Sequence, residues 1–172
     1  MAQKDKTTSH ETTALASEVA RFASLADQWW DVEGDFAPLH KINPIRLTFI
    51  RDHLCAYFGR DPKQQKPLNN LSIIDIGCGG GLLCEPLARL GAQVMGIDAG
   101  DENIRIAKIH AKRSGLDILY RQLLPEDVAA EQFAFDIVLN MEVIEHVADR
   151  YVFMEACCAL VKPGGLMVSG TL

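Results

Sequence analysis

The sequence predicts an α/β domain built on a parallel sheet with helices on both faces. Three observations carry that prediction. From Leu71 onward, short apolar runs alternate with helical stretches, the order that successive βαβ units impose. The runs LSIIDI, QVMGID and FDIVLN are nearly continuous in apolar residues, as strands covered on both faces must be. The first run ends in a glycine-rich bend that opens a helix, Asp75-Ile76-Gly77-Cys78-Gly79-Gly80-Gly81.

Each element follows in chain order. Residues 1–14 are polar and are expected to form a flexible tail. Residues 15–70 form a helical segment. Within it, Leu15, Val19, Phe22, Leu25, Ala26 and Trp29 recur at three- and four-residue steps and predict a helix over Leu15–Trp30. DVEGDFAPLHK, with Gly34 and Pro38, reads as a loop. A second helix is predicted from Asn43, with Pro44 at its first position, through Ile50 and Leu54 to about Gly59. A polar loop, DPKQQKPLNN, leads into the α/β unit at residues 71–172. Its elements are strand LSIIDI, helix LLCEPLARL, strand QVMGID, a helix from Asp101 to about Ser114, and a strand near Asp117–Arg121. A turn or short helix at PEDVAA, strand FDIVLN, a helix near Arg150–Leu160 and a last strand, LMVSGTL, complete it.

Composition removes several classes of function. The 172 residues amount to about one domain. Lys plus Arg total 17 against 23 Asp plus Glu, a net charge of −6, so no nucleic-acid partner held through a broad basic face is expected. No apolar run is long enough for a membrane-spanning helix. The polar start MAQKDKTTSHETT lacks the apolar core of a secretory signal, and its acids and lack of arginine before Arg21 argue against a transit peptide. Cys55, Cys78, Cys84, Cys157 and Cys158 make an odd set with no CxxC pair and no zinc spacing. Reduced thiols in a cytoplasmic protein are expected.

The glycine bend and the acid that follows it point to a nucleoside. Glycines remove the Cβ atoms that keep a ligand off the backbone. Strand QVMGID ends in Asp98, which at a carboxyl edge can accept from both hydroxyls of a ribose. The dinucleotide pattern G-x-G-x-x-G/A fails, because its sixth place is Leu82 counted from Gly77 and Cys84 counted from Gly79. The phosphate loop G-x-x-x-x-G-K-[ST] is absent as well.

What remains, D-x-G-x-G-x-G with a later aspartate, resembles the S-adenosylmethionine loop of class I methyltransferases. Outside the loop the resemblance narrows. FASLADQWWD, PLHKINPIRL, DIGCGGGLL, NMEVIEHV and LVKPGG resemble the ubiquinone-biosynthesis O-methyltransferases, over about Phe22 to Leu172. The resemblance implies a Rossmann-like class I methyltransferase fold with strands one to five present and a C-terminal hairpin missing, so that the chain reads as C-terminally truncated. It implies S-adenosylmethionine as cofactor and a polyprenylated phenol or quinol as substrate. Contact with a ubiquinone-biosynthesis complex and peripheral placement at a bacterial inner membrane are further implications. It also implies cofactor contacts: Arg46 to the carboxylate of the methionine part, Asp75 to its amino group, Gly77 and Gly79 through the backbone, Asp98 to the ribose, and Met141 beside the cofactor.

The reaction centre is expected in Asn140-Met141-Glu142-Val143-Ile144-Glu145-His146, at the carboxyl end of strand FDIVLN. A helix there would put Glu142, Glu145 and His146 on one face, able to hold a divalent ion, with Mg²⁺ favoured by oxygen ligation. A phenol titrates near 10, so at pH 7 its ionisation costs roughly 4 kcal/mol. A metal ion would lower that cost. Alternatively His146, with Glu142 beside it, takes the proton directly. A third reading has these side chains only hydrogen-bonding near the cofactor. The resemblance favours the metal, since related members carry one at the matching E-x-x-E-H positions. Trp29 and Trp30 are open between a lid, a prenyl-chain contact and ordinary packing. Two alternatives to the leading function stand: a class I methyltransferase for another small acceptor, and a non-catalytic cofactor-binding remnant.

Overall fold

The computed structural model describes residues 13–171. Its strands are β1 (Ser72–Ile76), β2 (Gln93–Asp98), β3 (Leu119–Gln122), β4 (Phe135–Met141) and β5 (Val161–Gly170). They form a five-stranded sheet in the order β3-β2-β1-β4-β5, with every pair parallel. The helices are α1 (Ala16–Ser24), α2 (Ala37–Tyr57), α3 (Cys84–Arg89), α4 (Asp101–Arg113), α5 (Pro125–Ala130) and α6 (Arg150–Ala159). Strand order reverses between β1 and β4. Connections leave their carboxyl ends in opposite directions there, which opens a crevice at that edge.

The period-two geometry of β1 divides the core. Ile73 points with Ile137 and Leu139 toward α2, α3 and α4, meeting Ile50, Leu54, Leu87 and Ile104. Ile74 and Ile76 point the other way, with Val138, onto Val128 of α5 and Phe153 and Cys157 of α6. At the opposite end of the sheet, Asp136 accepts from Ser72 N–H (2.8 Å) and Oγ (2.7 Å) and from Lys162 Nζ (3.1 Å). That knot fixes the starts of β1, β4 and β5.

The N-terminal elements depart from expectation. Most of the expected tail, residues 1–12, lies outside the described residues, but Thr13 and Ala14 are anchored. Thr13 is buried and gives its N–H (3.0 Å) and Oγ1 (2.9 Å) to Glu126, while Ala14 forms an antiparallel bridge with Val147. The first helix stops at Ser24, and a short 3₁₀ turn at Ala26–Gln28 follows. The break swings both tryptophans under the glycine bend, where Trp29, Phe36 and Leu82 form a small core of their own. The second helix begins at Ala37, not Asn43. Pro38 in its first turn supplies the preset φ that starts a helix, and Pro44 lies inside, ahead of the buried stretch at Ile50, Leu54 and Cys55. The last strand starts at Val161, earlier than LMVSGTL, with a register shift opposite Phe135–Ile137.

Candidate functional site

The glycine bend continues directly from β1. Cys78 N–H still donates to Ile97 O of β2 (2.9 Å), and the chain then turns through left-handed backbone. Gly77 has φ +68° and Gly79 φ +52°, a region L side chains avoid. The space a Cβ would take at Gly77 is held by Val143, and at Gly79 by the ring of Trp29. Protein side chains therefore fill one side of the bend. On its other side the backbone of Gly77–Gly79 lines a cavity of about 350 Å³ at the crevice.

All nine candidate residues line that cavity: Arg46, Asp75, Gly77, Gly79, Asp98, Met141, Glu142, Glu145 and His146. Asp75, at the end of β1, is buried, and its Oδ2 accepts from the Cys84 thiol (3.2 Å). Burial pushes its carboxyl up to about 7; the charge of Asp98 adds to that, and the Cys84 thiol and Arg46 oppose it. Asp98, at the end of β2, is half-buried. It accepts from the N–H groups of Gly79 (2.9 Å) and Gly100 (2.8 Å) and from Asn103 Nδ2 (3.0 Å). Burial raises it as well, against those three hydrogen bonds. Burial pushes the Cys78 thiol up to about 11 and the Cys84 thiol well above its ordinary value, which leaves both poor nucleophiles.

The segment after β4 does not form the expected helix. Glu142 takes left-handed backbone, φ +59°, uncommon outside glycine. Its N–H donates to Gly170 O (2.7 Å), and a single 3₁₀ turn follows at Ile144–His146. The shared face of Glu142, Glu145 and His146 is thereby lost. The Glu142 carboxylate turns to Arg46 Nη2 at 2.6 Å, and His146 Nδ1 sits 2.9 Å from Glu18 Oε2. Among the described residues no three His, Cys, Asp or Glu side chains are grouped to hold an ion. The donor set expected for Mg²⁺ does not fit a metal site in this arrangement.

Three residues at the site escaped sequence reasoning. Glu18 left a signal: it lies three after Leu15 and four before Phe22, on the apolar face of α1. Phe22 packs edge-on against the same His146 ring, 5.4 Å between centroids. Asn103, buried in the first turn of α4, left none. The tryptophans resolve toward packing. Trp29 Nε1–H donates to Asn103 Oδ1 (2.8 Å), and Trp30 Nε1–H donates to Gly80 O (3.0 Å). The Trp30 ring stacks on His110 at 3.4 Å, and His110 Nδ1 lies 2.6 Å from buried Glu85 Oε1.

A glycine bend after β1 beside an acid at the end of β2, at the crevice where strand order reverses, is an arrangement in which open α/β domains take nucleoside-bearing ligands. Residues 74–169 match the family described as a methyltransferase domain, and the chain belongs to that family. Over 161 residues, 94% of its length, it is 56% identical to a ubiquinone biosynthesis O-methyltransferase of Chelativorans sp. (strain BNC1). It is 54% identical to the one from Sinorhizobium medicae (strain WSM419), over 94% of its length. The chain spans 64% and 65% of those relatives. Among solved structures it is similar to a DhpI–SAH complex, with TM-score 0.67 and 21% identity over 93% of this chain and 70% of that one. Magnesium protoporphyrin IX methyltransferase from Synechocystis PCC 6803 with bound SAM gives TM-score 0.65 and 20% identity over 88% and 75%. The shared architecture is the Rossmann-like α/β fold the sequence predicts.

Proposed function

We propose that this chain binds S-adenosylmethionine in the crevice and serves as the cofactor-binding part of a ubiquinone-biosynthesis O-methyltransferase. The acceptor is a hydroxyl of a polyprenyl catechol or demethylubiquinol. The observation that carries the reading is that Asp98 and the Gly77–Gly79 backbone, joined at Gly79 N–H, line one cavity, in a chain 56% identical to a relative of that name.

The chain's own groups suit the cofactor part by part. Asp98 Oδ2 offers an acceptor to ribose hydroxyls. The Arg46 guanidinium suits the carboxylate of the methionine part, and Asp75 beneath the bend suits its ammonium. The backbone of Gly77 and the side chain of Met141 provide close, uncharged contact. When bound, the cofactor supplies a methyl group on a sulfonium, and transfer forms an O–C bond as the C–S bond breaks. The phenol proton must then leave. Glu18 against Nδ1 of His146 keeps the proton on that nitrogen and leaves Nε2 as the basic one. His146 is thus the proton acceptor, Glu18 orients it, and Glu142 acts as counter-ion of Arg46 before cofactor binds. A prenyl tail on the acceptor brings the work to a membrane surface, with the biosynthetic complex as partner; among the described residues no helix is long and apolar enough to cross a membrane.

Isothermal titration of the chain with S-adenosylhomocysteine, followed by transfer of labelled methyl to a polyprenyl catechol, tests the reading. Saturable binding and label in the catechol ether are expected. A folded chain that ignores the cofactor product, or is stabilised by a nicotinamide dinucleotide instead, refutes it.

A further inference from the structure

The carboxylate of Asp98 is held from behind by three donors. Oδ1 accepts from Gly100 N–H and Asn103 Nδ2, and Oδ2 accepts from Gly79 N–H. A carboxylate has about four acceptor sites, so Oδ2 keeps one while Asp98 lines the cavity. The weak member of this arrangement is Asn103. Its amide presents a donor on one edge and an acceptor on the other, and a flip would turn its oxygen onto Asp98 Oδ1.

Trp29 and Asp98 together fix which way the amide faces. An indole N–H only donates, and it lies 2.8 Å from Asn103 Oδ1. The oxygen must therefore face the indole, and the NH₂ must face Asp98 at 3.0 Å. The indole is itself pinned, stacked on Phe36 at 3.8 Å and packed where Cβ atoms of Gly79 and Gly80 would be. Trp29 and Asn103 are both buried, at 8% and 2% exposed, so removing one leaves the other's polar group short of a partner at a desolvation cost. A closed ring results: Gly79 to Asp98, Asp98 to Asn103, Asn103 to Trp29, and Trp29 back onto Gly79.

We infer that Trp29 and Asn103 are positioning residues that orient the Asp98 carboxylate for the ribose hydroxyls of the cofactor. The inference rests on the cofactor reading above. It makes the N-terminal segment, which lies outside the βαβ units, part of the ribose site. Loss of the indole N–H leaves the buried Asn103 oxygen without its donor, and an amide no longer held at that edge holds Asp98 Oδ1 less firmly in line for the ribose.

Trp29→Phe keeps an aromatic ring on Phe36 and Gly79 and removes only the donor. Affinity is measured by titration calorimetry for S-adenosylhomocysteine and for its analogue lacking both ribose hydroxyls. The unsubstituted chain should prefer the ribose form. In the Trp29→Phe chain, affinity for S-adenosylhomocysteine should fall about tenfold, the worth of one charge-linked hydrogen bond, and affinity for the analogue should stay within about twofold. Asn103→Leu should collapse the same preference, and it carries the test if the Trp29→Phe chain melts too low to titrate. Equal loss for both ligands overturns the inference, because general loosening of the pocket does not distinguish them. An unchanged preference overturns it too. An unsubstituted chain that binds neither ligand removes the cofactor reading itself, a result distinct from variants that bind and keep the preference.

Discussion

Asp75→Asn removes a charge from the floor of the cavity while keeping the side chain's shape. Asp75 is buried, and its carboxyl is pushed up to about 7 from 3.8, chiefly by burial. The folded chain thus holds this proton where the unfolded chain has released it. Stability falls as pH rises through the interval between the two values, because the native state binds the extra proton. Integrated from pH 5 to pH 8, the wild-type chain should lose about 2–3 kcal/mol relative to the Asp75→Asn chain. At this size that separates the two melting temperatures by roughly 5–10 °C. The amide oxygen of the substituted side chain can still accept the Cys84 thiol, so the comparison isolates the charge. The assay is thermal melting of both chains without cofactor at half-unit steps of pH. Parallel curves would refute the reasoning, since they would mean that Asp75 ionises in the fold as freely as in the unfolded chain.

Three further outcomes are expected. Gly79→Ala forces a side chain into left-handed backbone and against the Trp29 ring, and should cost about 1–3 kcal/mol in urea denaturation; an unchanged midpoint counts against the described packing. Glu85→Ala leaves the His110 ring under Trp30 without its buried carboxylate at 2.6 Å, and a loss of about 1–3 kcal/mol is expected, again read from the urea midpoint. Millimolar Mg²⁺ added to chelated, cofactor-free chain should leave its melting temperature unchanged, because Glu142 and His146 are engaged by Arg46 and Glu18. A rise with Mg²⁺ concentration would show a bound ion and require those pairs to open.

The βαβ half was legible because each strand there is bounded by polar or glycine punctuation. Gln93–Asp98 appears with the same limits in sequence and structure, since an exposed Gln93 and the following Ala99-Gly100 leave no other register. The N-terminal half was less so. Pro38 and Pro44 both resemble helix starts, and local sequence cannot rank them; Leu39, packed against the Trp29 core, favours the earlier one. The helix broken at Leu25 has an unbroken apolar period, and only the glycine bend on another part of the chain calls the tryptophans away. The site shows the same division. Asp75, Gly77, Gly79 and Asp98 sit where strands β1 and β2 end, so counting residues located them. The partner of Glu142 is 96 residues away at Arg46, and that of His146 is Glu18 on α1. A helical period drawn through 142–146 misses both, because one left-handed residue at Glu142 breaks the period at its first step.

The clasp at Thr13 and Ala14 bears on how this protein is handled. Thr13, Ala14 and Leu15 line the cavity, and Ala148 N–H donates to Thr13 O (2.9 Å) beside the loop that carries His146. Trimming the polar leader as far as Ala14, a routine step toward crystals, would cut away one wall of the ligand chamber and unfasten the loop opposite. A boundary set before Thr13 keeps both.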